Sequence, residues 1–249
     1  MTFPIHISEQ AGVRYLHFNS DWTQGAMRIA RPWSLELEYT REMMASVLLR
    51  PEPPRRVLLI GLGTASLLKF LYRYFPHAHL TVVEIEPRVV AAARQFFKLP
   101  EDEKRIQLVI GDGAEYVLQS PRPFDLILLD GFNEDGRAGM LDTLPFYQAC
   151  RSCLSEQGLL TVNLLGRSRG FNASVERLFS AFDGRALVFP SCESGNAIAF
   201  ATGGAPVEMA LEDLKAAAVC LRLDTGLNLL PTLARLVQAK TCANQVLVL

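Results

Sequence analysis

The run Val57-Leu58-Leu59-Ile60-Gly61-Leu62-Gly63-Thr64-Ala65-Ser66 constrains this chain more than any other segment. A stretch without polar residues, two glycines one residue apart and a helix-forming continuation predict strand, tight turn and helix. An apolar strand of this kind is one covered on both faces. The turn after it presents free N–H groups and the positive end of a helix dipole at the strand's carboxyl edge. Gly61 and Gly63 let the backbone bend sharply and come close to a ligand. A lone GxG also suits a plain tight turn, and its place directly after an apolar strand favours a binding loop.

The same alternation continues downstream. LTVVEI, IQLVIGD, FDLILLD and GLLTVNLL have the composition of buried strands. ASLLKFLYRYF, PRVVAAARQFF, AEYVLQS, LPFYQACRSCL and FNASVERLFSAF have helical periodicity, with Pro87 suited to a first turn. ALVFP and NAIAFAT close as an antiparallel pair. Strands alternating with helices imply an α/β fold with a doubly wound, mostly parallel sheet and right-handed crossovers. Upstream, VRYLHFN and AMRIA are strand-like and LELEYTREMMASVLL is helical. RPEPPRR cannot continue that helix and marks a boundary. From about Val207 the pattern gives two helices and the apolar end NQVLVL, which needs a partner from this chain or another subunit.

With 49% hydrophobic residues and a formal net charge of -1, the chain of 249 residues does not have the balance of a binder that works by neutralising phosphates, although a local basic patch stays open. No apolar run reaches the ~18 residues that span a bilayer, and MTFPIHISEQ lacks the pattern of a signal peptide. A cytoplasmic protein is the expectation, and five scattered cysteines agree with it. Cys150 and Cys153 form a CxxC on a predicted helix without a second ligand pair, so they are read as small buried residues and no metal is expected. None of His6, His17, His77 and His79 falls at the predicted ligand edge.

Four features share that edge. The glycine loop follows the first strand of the sheet. Glu84 ends the second, about 20 residues on, where an acid hydrogen-bonds ribose hydroxyls. It is preferred to Glu86 because it still belongs to the apolar run, and an exposed strand-end carboxylate is its bland alternative. Asp112 and Gly113 end the third strand, placed for an adenine amino group and a tight turn. Asp130 ends the fourth. Asp125 sits at the opposite end of that strand and is read as structural.

At these residues the sequence resembles the spermidine synthase family of polyamine aminopropyltransferases, from about Gln24 to Gly166. EYTREMM before VLLIGLG is similar to the family's amine-side helix and glycine loop. VVEIEPRVV resembles its ribose-holding strand, VIGDGAEYV its adenine-side segment, and LILLDGFNEDG followed by FYQACRSCLSEQGLL the segment with its catalytic aspartate. The resemblance implies a methyltransferase-type Rossmann fold with a short N-terminal β segment, a homodimer, and decarboxylated S-adenosylmethionine as co-substrate. It implies cofactor contacts from Gly61, Leu62, Gly63, Glu84, Ile85, Asp112 and Gly113, with Asp130 as the catalytic aspartate that orients the amine and accepts its proton. Gln24, Tyr39 and Asn133 would meet the amine; a core tyrosine fits Tyr39 equally well, and a polar turn residue fits Gln24. The domain division is 1–50 for the small β/helix segment, 51–205 for the Rossmann-like catalytic domain and 206–249 for the helical tail.

The chain departs from the family's pattern at several points. GLGTAS replaces GGGDGG, so Thr64 stands where an aspartate usually holds the aminopropyl ammonium. Asn133 stands at a second acid of the catalytic segment. YTRE puts Arg41 beside Glu42. Glu134 and Asp135 follow Asn133 and are read as solvated loop charges rather than as substitutes for the missing acid.

The function expected first is therefore aminopropyl transfer to a polyamine such as putrescine, without nucleic-acid or membrane partners. An S-adenosylmethionine-dependent methyltransferase is the second reading, with Arg41 or a loop N–H accepting the extra carboxylate. A non-catalytic adenosyl-ligand binder is the third. A nicotinamide oxidoreductase ranks last, because Ser66 replaces the third glycine of that fingerprint.

Overall fold

A computed structural model describes residues 4–18, 23–120, 123–133, 136–191, 195–239 and 242–249. The chain begins with an antiparallel sheet of β1 (Ile5–Gln10), β2 (Val13–Phe18) and β3 (Thr23–Arg28), ordered β1-β2-β3. Ala11 and Gly12 turn the first hairpin with φ of 50° and 74°, the two positive values that a tight primed turn requires. The sequence pattern points to β2 and β3 and misses β1, whose exposed polar face gives IHISEQ no apolar run.

LELEYTREMMASVLL forms two pieces rather than one helix: α1 (Glu38–Met43) and a 3-10 segment over Met44–Leu49. Ser46 Oγ donates to the Met43 carbonyl at 2.8 Å, the kind of local bond that competes with the α-helical ladder.

The large sheet is built from β4 (Arg56–Ile60), β5 (His79–Glu84), β6 (Ile106–Ile110), β7 (Phe124–Leu129), β8 (Leu154–Leu164), β9 (Ala186–Pro190) and β10 (Ala197–Thr202). The connecting helices are α2 (Ser66–Tyr74), α3 (Pro87–Phe96), α4 (Gly113–Gln119), α5 (Leu144–Ser152) and α6 (Phe171–Ala181). Strand order is β6-β5-β4-β7-β8-β10-β9, parallel from β6 to β8, with β10 antiparallel to both neighbours. This is the expected doubly wound sheet with its terminal antiparallel pair. The chain builds outward from β4 to β6, then crosses to β7 and builds the other way. The order reverses beside β4, and in such sheets a ligand crevice opens outside the carboxyl ends at that point.

Each strand of the sheet divides its apolar side chains between two layers. Val57 and Leu59 pack with α2, α3 and the C-terminal elements, whereas Leu58 and Ile60 pack with α4, α5 and α6. Burial on both faces accounts for the unbroken apolar runs. Asp125, at the amino end of β7, accepts from the backbone N–H groups of Arg55 and Arg56 at 2.9 Å each and from Ser155 Oγ at 2.9 Å, so it is a structural clasp as expected. Cys150 is fully buried in the second layer, which pushes its thiol well above the usual range.

The last region holds β11 (Glu208–Ala210), α7 (Leu211–Thr225), α8 (Leu230–Gln238), β12 (Cys242–Ala243) and β13 (Val246–Val248). The two expected helices are present, and the apolar end becomes β13, paired between β11 and β12. Leu247 and Leu249 are buried in the first layer, so this chain itself supplies the partner that NQVLVL needs.

Candidate active site

The glycine loop is fixed from both sides. The Gly61 N–H donates to the Val83 carbonyl of β5 and the Asp130 N–H donates to the Ile60 carbonyl of β4, both at 2.9 Å. Gly61 has φ of 94°, and a Cβ there would lie 2.1 Å from the Asp130 carbonyl oxygen. No other residue type fits. Gly63 and Ala65 also have left-handed backbones, with φ of 51° and 57°. Helix α2 begins at Ser66 without a side-chain cap, so its first N–H groups are the orphan donors expected of an anion- or dipole-binding turn.

Glu84 reaches across from β5 to this loop. Its carboxylate accepts from the Leu62 N–H and the Glu86 N–H, at 2.9 Å each. Burial raises its pKa, and the backbone donors partly offset that. Glu86 is engaged elsewhere: it accepts from the backbone and guanidinium of Arg88, which brings its pKa down to about 2. Of the two carboxylates, Glu84 is therefore the one bonded to the glycine loop. Ile85 between them is 67% exposed at the rim, an apolar surface open to a flat base.

Asp112 caps α4, with Oδ1 accepting from the Ala114 N–H at 2.7 Å. Gly113 lies under Ile60, where a Cβ would meet Ile60 Cγ2 at 2.4 Å. The third-strand segment thus packs directly against the end of β4.

Asp130 lies on the other side of the loop. Its Oδ2 accepts from the Tyr39 hydroxyl at 3.2 Å and its Oδ1 from Asn163 Nδ2 at 2.8 Å. Burial raises the Asp130 pKa, against the lowering effect of these two donors. The same burial, with Asp130 next to it, pushes the Tyr39 phenol well above its usual range, so it remains a donor. Gln24, Tyr39, Gly61, Leu62, Gly63 and Asp130 line one narrow cleft. The N-terminal sheet closes this cleft through β3. Thr64 is buried there, with its hydroxyl 2.8 Å from Ser66 Oγ, and Ser66 donates to the Ala26 carbonyl at 3.1 Å.

Two other positions are placed differently from a simple site picture. Asn133 is exposed and does not line the cleft; its Oδ1 accepts from the Arg137 N–H at 2.8 Å within its own loop. Arg41 donates to the Leu35 and Glu36 carbonyls at 2.8 and 2.9 Å and to Glu38 at 2.8 Å, which occupies the guanidinium. Glu134 and Asp135 lie outside the described residues. Among the described residues, no cluster of His, Cys, Asp or Glu could hold a metal ion.

Sequence reasoning missed Asn163 and Asn196. Asn196 Nδ2 donates to Asn163 Oδ1 at 2.7 Å, which makes a polar chain ending on Asp130. The available signal was the single asparagine inside the otherwise apolar end of GLLTVNLL, since a buried amide requires partners.

The family model for the spermine/spermidine synthase domain matches residues 36–164. A polyamine aminopropyltransferase of Neisseria meningitidis is 35% identical over 227 residues, covering 91% of this chain and 86% of the relative. A crystal structure of a probable spermidine synthase from Corynebacterium glutamicum superposes with a TM-score of 0.70 at 18% identity, covering 91% of this chain and 86% of that one. A spermidine synthase in complex with the transition state analogue AdoDATO gives 0.62 at 24% identity, covering 80% and 74%. These structures agree with the sheet order in showing the fold.

Proposed function

The chain belongs to the spermine/spermidine synthase family, and on that premise we propose that it transfers the aminopropyl group of decarboxylated S-adenosylmethionine to a polyamine acceptor such as putrescine. The observation that carries this reading is the pairing of a half-buried Asp130 with Tyr39 in a cleft beside the glycine loop.

The co-substrate supplies an electrophilic carbon next to a sulfonium, a good leaving group. The acceptor amine is protonated in water, with a pKa of roughly 10, and must be neutral to attack. Its nitrogen forms a bond to the aminopropyl carbon, the carbon–sulfur bond breaks, and 5′-methylthioadenosine leaves with the electron pair. Asp130 accepts the amine's N–H and takes the proton released on attack. A carboxylate whose pKa is raised by burial is a better proton acceptor than an exposed one. Tyr39 and Asn163 keep that carboxylate in place, so much of the acceleration comes from positioning. Gln24 and Tyr39 line the amine side of the cleft.

The residues present suit the nucleoside. Gly61 and Gly63 allow close backbone approach, Glu84 and Asp112 stand at the same sheet edge, and Ile85 offers an apolar face. Use of intact S-adenosylmethionine for methyl transfer needs a partner for its extra carboxylate; Arg41 is already occupied by Leu35, Glu36 and Glu38, which leaves the loop N–H groups before α2 for that role.

The family reading carries with it the expectation of a cytoplasmic homodimer. The deciding experiment incubates the protein with decarboxylated S-adenosylmethionine and a panel of di- and triamines. Release of 5′-methylthioadenosine that depends on the amine is expected. Tight cofactor binding with no transfer to any amine would reject the reading in favour of a non-catalytic binder, and methyl transfer from the intact cofactor would favour the methyltransferase.

A further inference from the structure

We propose that Asn196 is a positioning residue that fixes which end of the Asn163 amide faces Asp130, and so holds the carboxylate in its working orientation. This rests on the role given to Asp130 above.

The three residues belong to neighbouring strand ends. Asn196 immediately precedes β10, Asn163 lies on β8, and Asp130 follows β7. Asn196 Nδ2 donates to Asn163 Oδ1 at 2.7 Å, and Asn163 Nδ2 donates to Asp130 Oδ1 at 2.8 Å. The backbone around Asn196 is itself pinned: its carbonyl accepts from the Ser191 N–H at 2.9 Å, and Ile198 pairs with Asn163 in the ladder.

A carboxamide has nearly the same shape from either end but opposite hydrogen-bonding sense. With its oxygen turned to Asp130, Asn163 would set an acceptor against an acceptor, and the carboxyl group would answer by keeping a proton. The donor from Asn196 occupies that oxygen and leaves the Asn163 N–H2 for Asp130. Asn163 is 5% exposed, so water cannot readily substitute for either bond. On its other oxygen Asp130 meets Tyr39, the titratable side chain in hydrogen-bond contact with it among the described residues. With one donor on each oxygen, rotation of the carboxylate would break a bond.

The test reverses the polarity at the far end of the chain. Asn196→Asp presents acceptors alone, so it draws the Asn163 N–H2 toward itself. Its added charge is controlled by making the same change in an Asn163→Leu background, where no amide can turn. The readout is the titration of the Asp130 side-chain carbon by carbon-13 NMR, assigned by its loss in Asp130→Asn. This needs no turnover.

Asn196→Asp is expected to raise the Asp130 midpoint by about one pH unit more in the native background than in Asn163→Leu. Asn196→Ala is expected to lower kcat several-fold while leaving KM for the cofactor unchanged. Equal midpoint shifts in the two backgrounds would overturn the proposal. If Asn163→Leu does not fold, an Asn196→Ala enzyme of unchanged kcat would overturn it too. A native protein that transfers to no amine, with the midpoints moving as expected, would reject aminopropyl transfer and leave the positioning role standing.

Discussion

The hydroxyl of Tyr39 donates to Asp130 Oδ2 at 3.2 Å and so joins two residues 91 positions apart in the chain. The bond ties α1, in the N-terminal region, to the carboxyl edge of the parallel sheet. It also opposes the burial that raises the Asp130 pKa. Tyr39→Phe keeps the ring and removes this donor, so the Asp130 pKa rises further. Because the ionised carboxylate is the working form, the acid limb of the kcat/KM profile should move to higher pH. A limb that stays in place would separate Tyr39 from catalysis.

Asp130→Asn should behave oppositely in activity and in stability. Loss of the proton acceptor is expected to lower kcat by roughly a thousandfold, with little change in cofactor affinity by calorimetry. The folded-state pKa of Asp130 is raised, so between the unfolded and folded values the native state binds more protons than the unfolded state. Stability therefore falls as pH rises through that window, and the loss is complete above the folded pKa. The amide removes this cost. Thermal melts should show the variant more stable than wild type at neutral pH, with the gain gone below the unfolded value of about 3.9.

Gly61→Ala and Gly63→Ala should differ in severity. At Gly61 the new methyl group would sit 2.1 Å from the rigid Asp130 carbonyl oxygen, and at Gly63 the nearest neighbour is the Gln24 carbonyl oxygen at 3.3 Å. Both backbones are left-handed. Gly61→Ala is expected to lose about 3 kcal/mol or to unfold the loop, and Gly63→Ala about 1 kcal/mol. Urea melts and cofactor titration check the order.

Lys69 gives a pH test remote from the chemistry. Its Nζ is buried and donates to the Phe97 carbonyl at 2.8 Å; burial first, and Lys98 second, bring its pKa down to about 7. The unfolded value is about 10.4, so the native state binds fewer protons across that window and stability rises with pH through it. Lys69→Met removes the penalty of a buried charge. The variant should melt about 3 °C above wild type near pH 6, equivalent to about 1 kcal/mol, and the gain should shrink toward pH 10. A constant difference at all pH values would show that folding does not shift the Lys69 pKa.

The parallel sheet was legible because its strands are buried on both faces and announce themselves as unbroken apolar runs. The same physics placed the glycine loop, Glu84, Asp112 and Asp130 at one edge, since each ends such a run. β1 escaped because its exposed residues alternate without an apolar stretch. The single helix expected over Leu35–Leu49 splits at Met44, where the Ser46 hydroxyl competes for a backbone carbonyl. Asn163 and Asn196 escaped for another reason: a pairwise contact between strands depends on register, and register is set by the whole sheet. Arg41 differs from these, since its partners Leu35, Glu36 and Glu38 are close in the chain and occupy its guanidinium locally.

Gly25 of β3 and Thr64 of the glycine loop compete for one small volume. A methyl group at position 25 would come within 2.7 Å of the Thr64 hydroxyl and methyl. A side chain at position 25 therefore fits only if the residue at position 64 becomes smaller. Redesign of the cleft beside the glycine loop accordingly begins with both residues changed together.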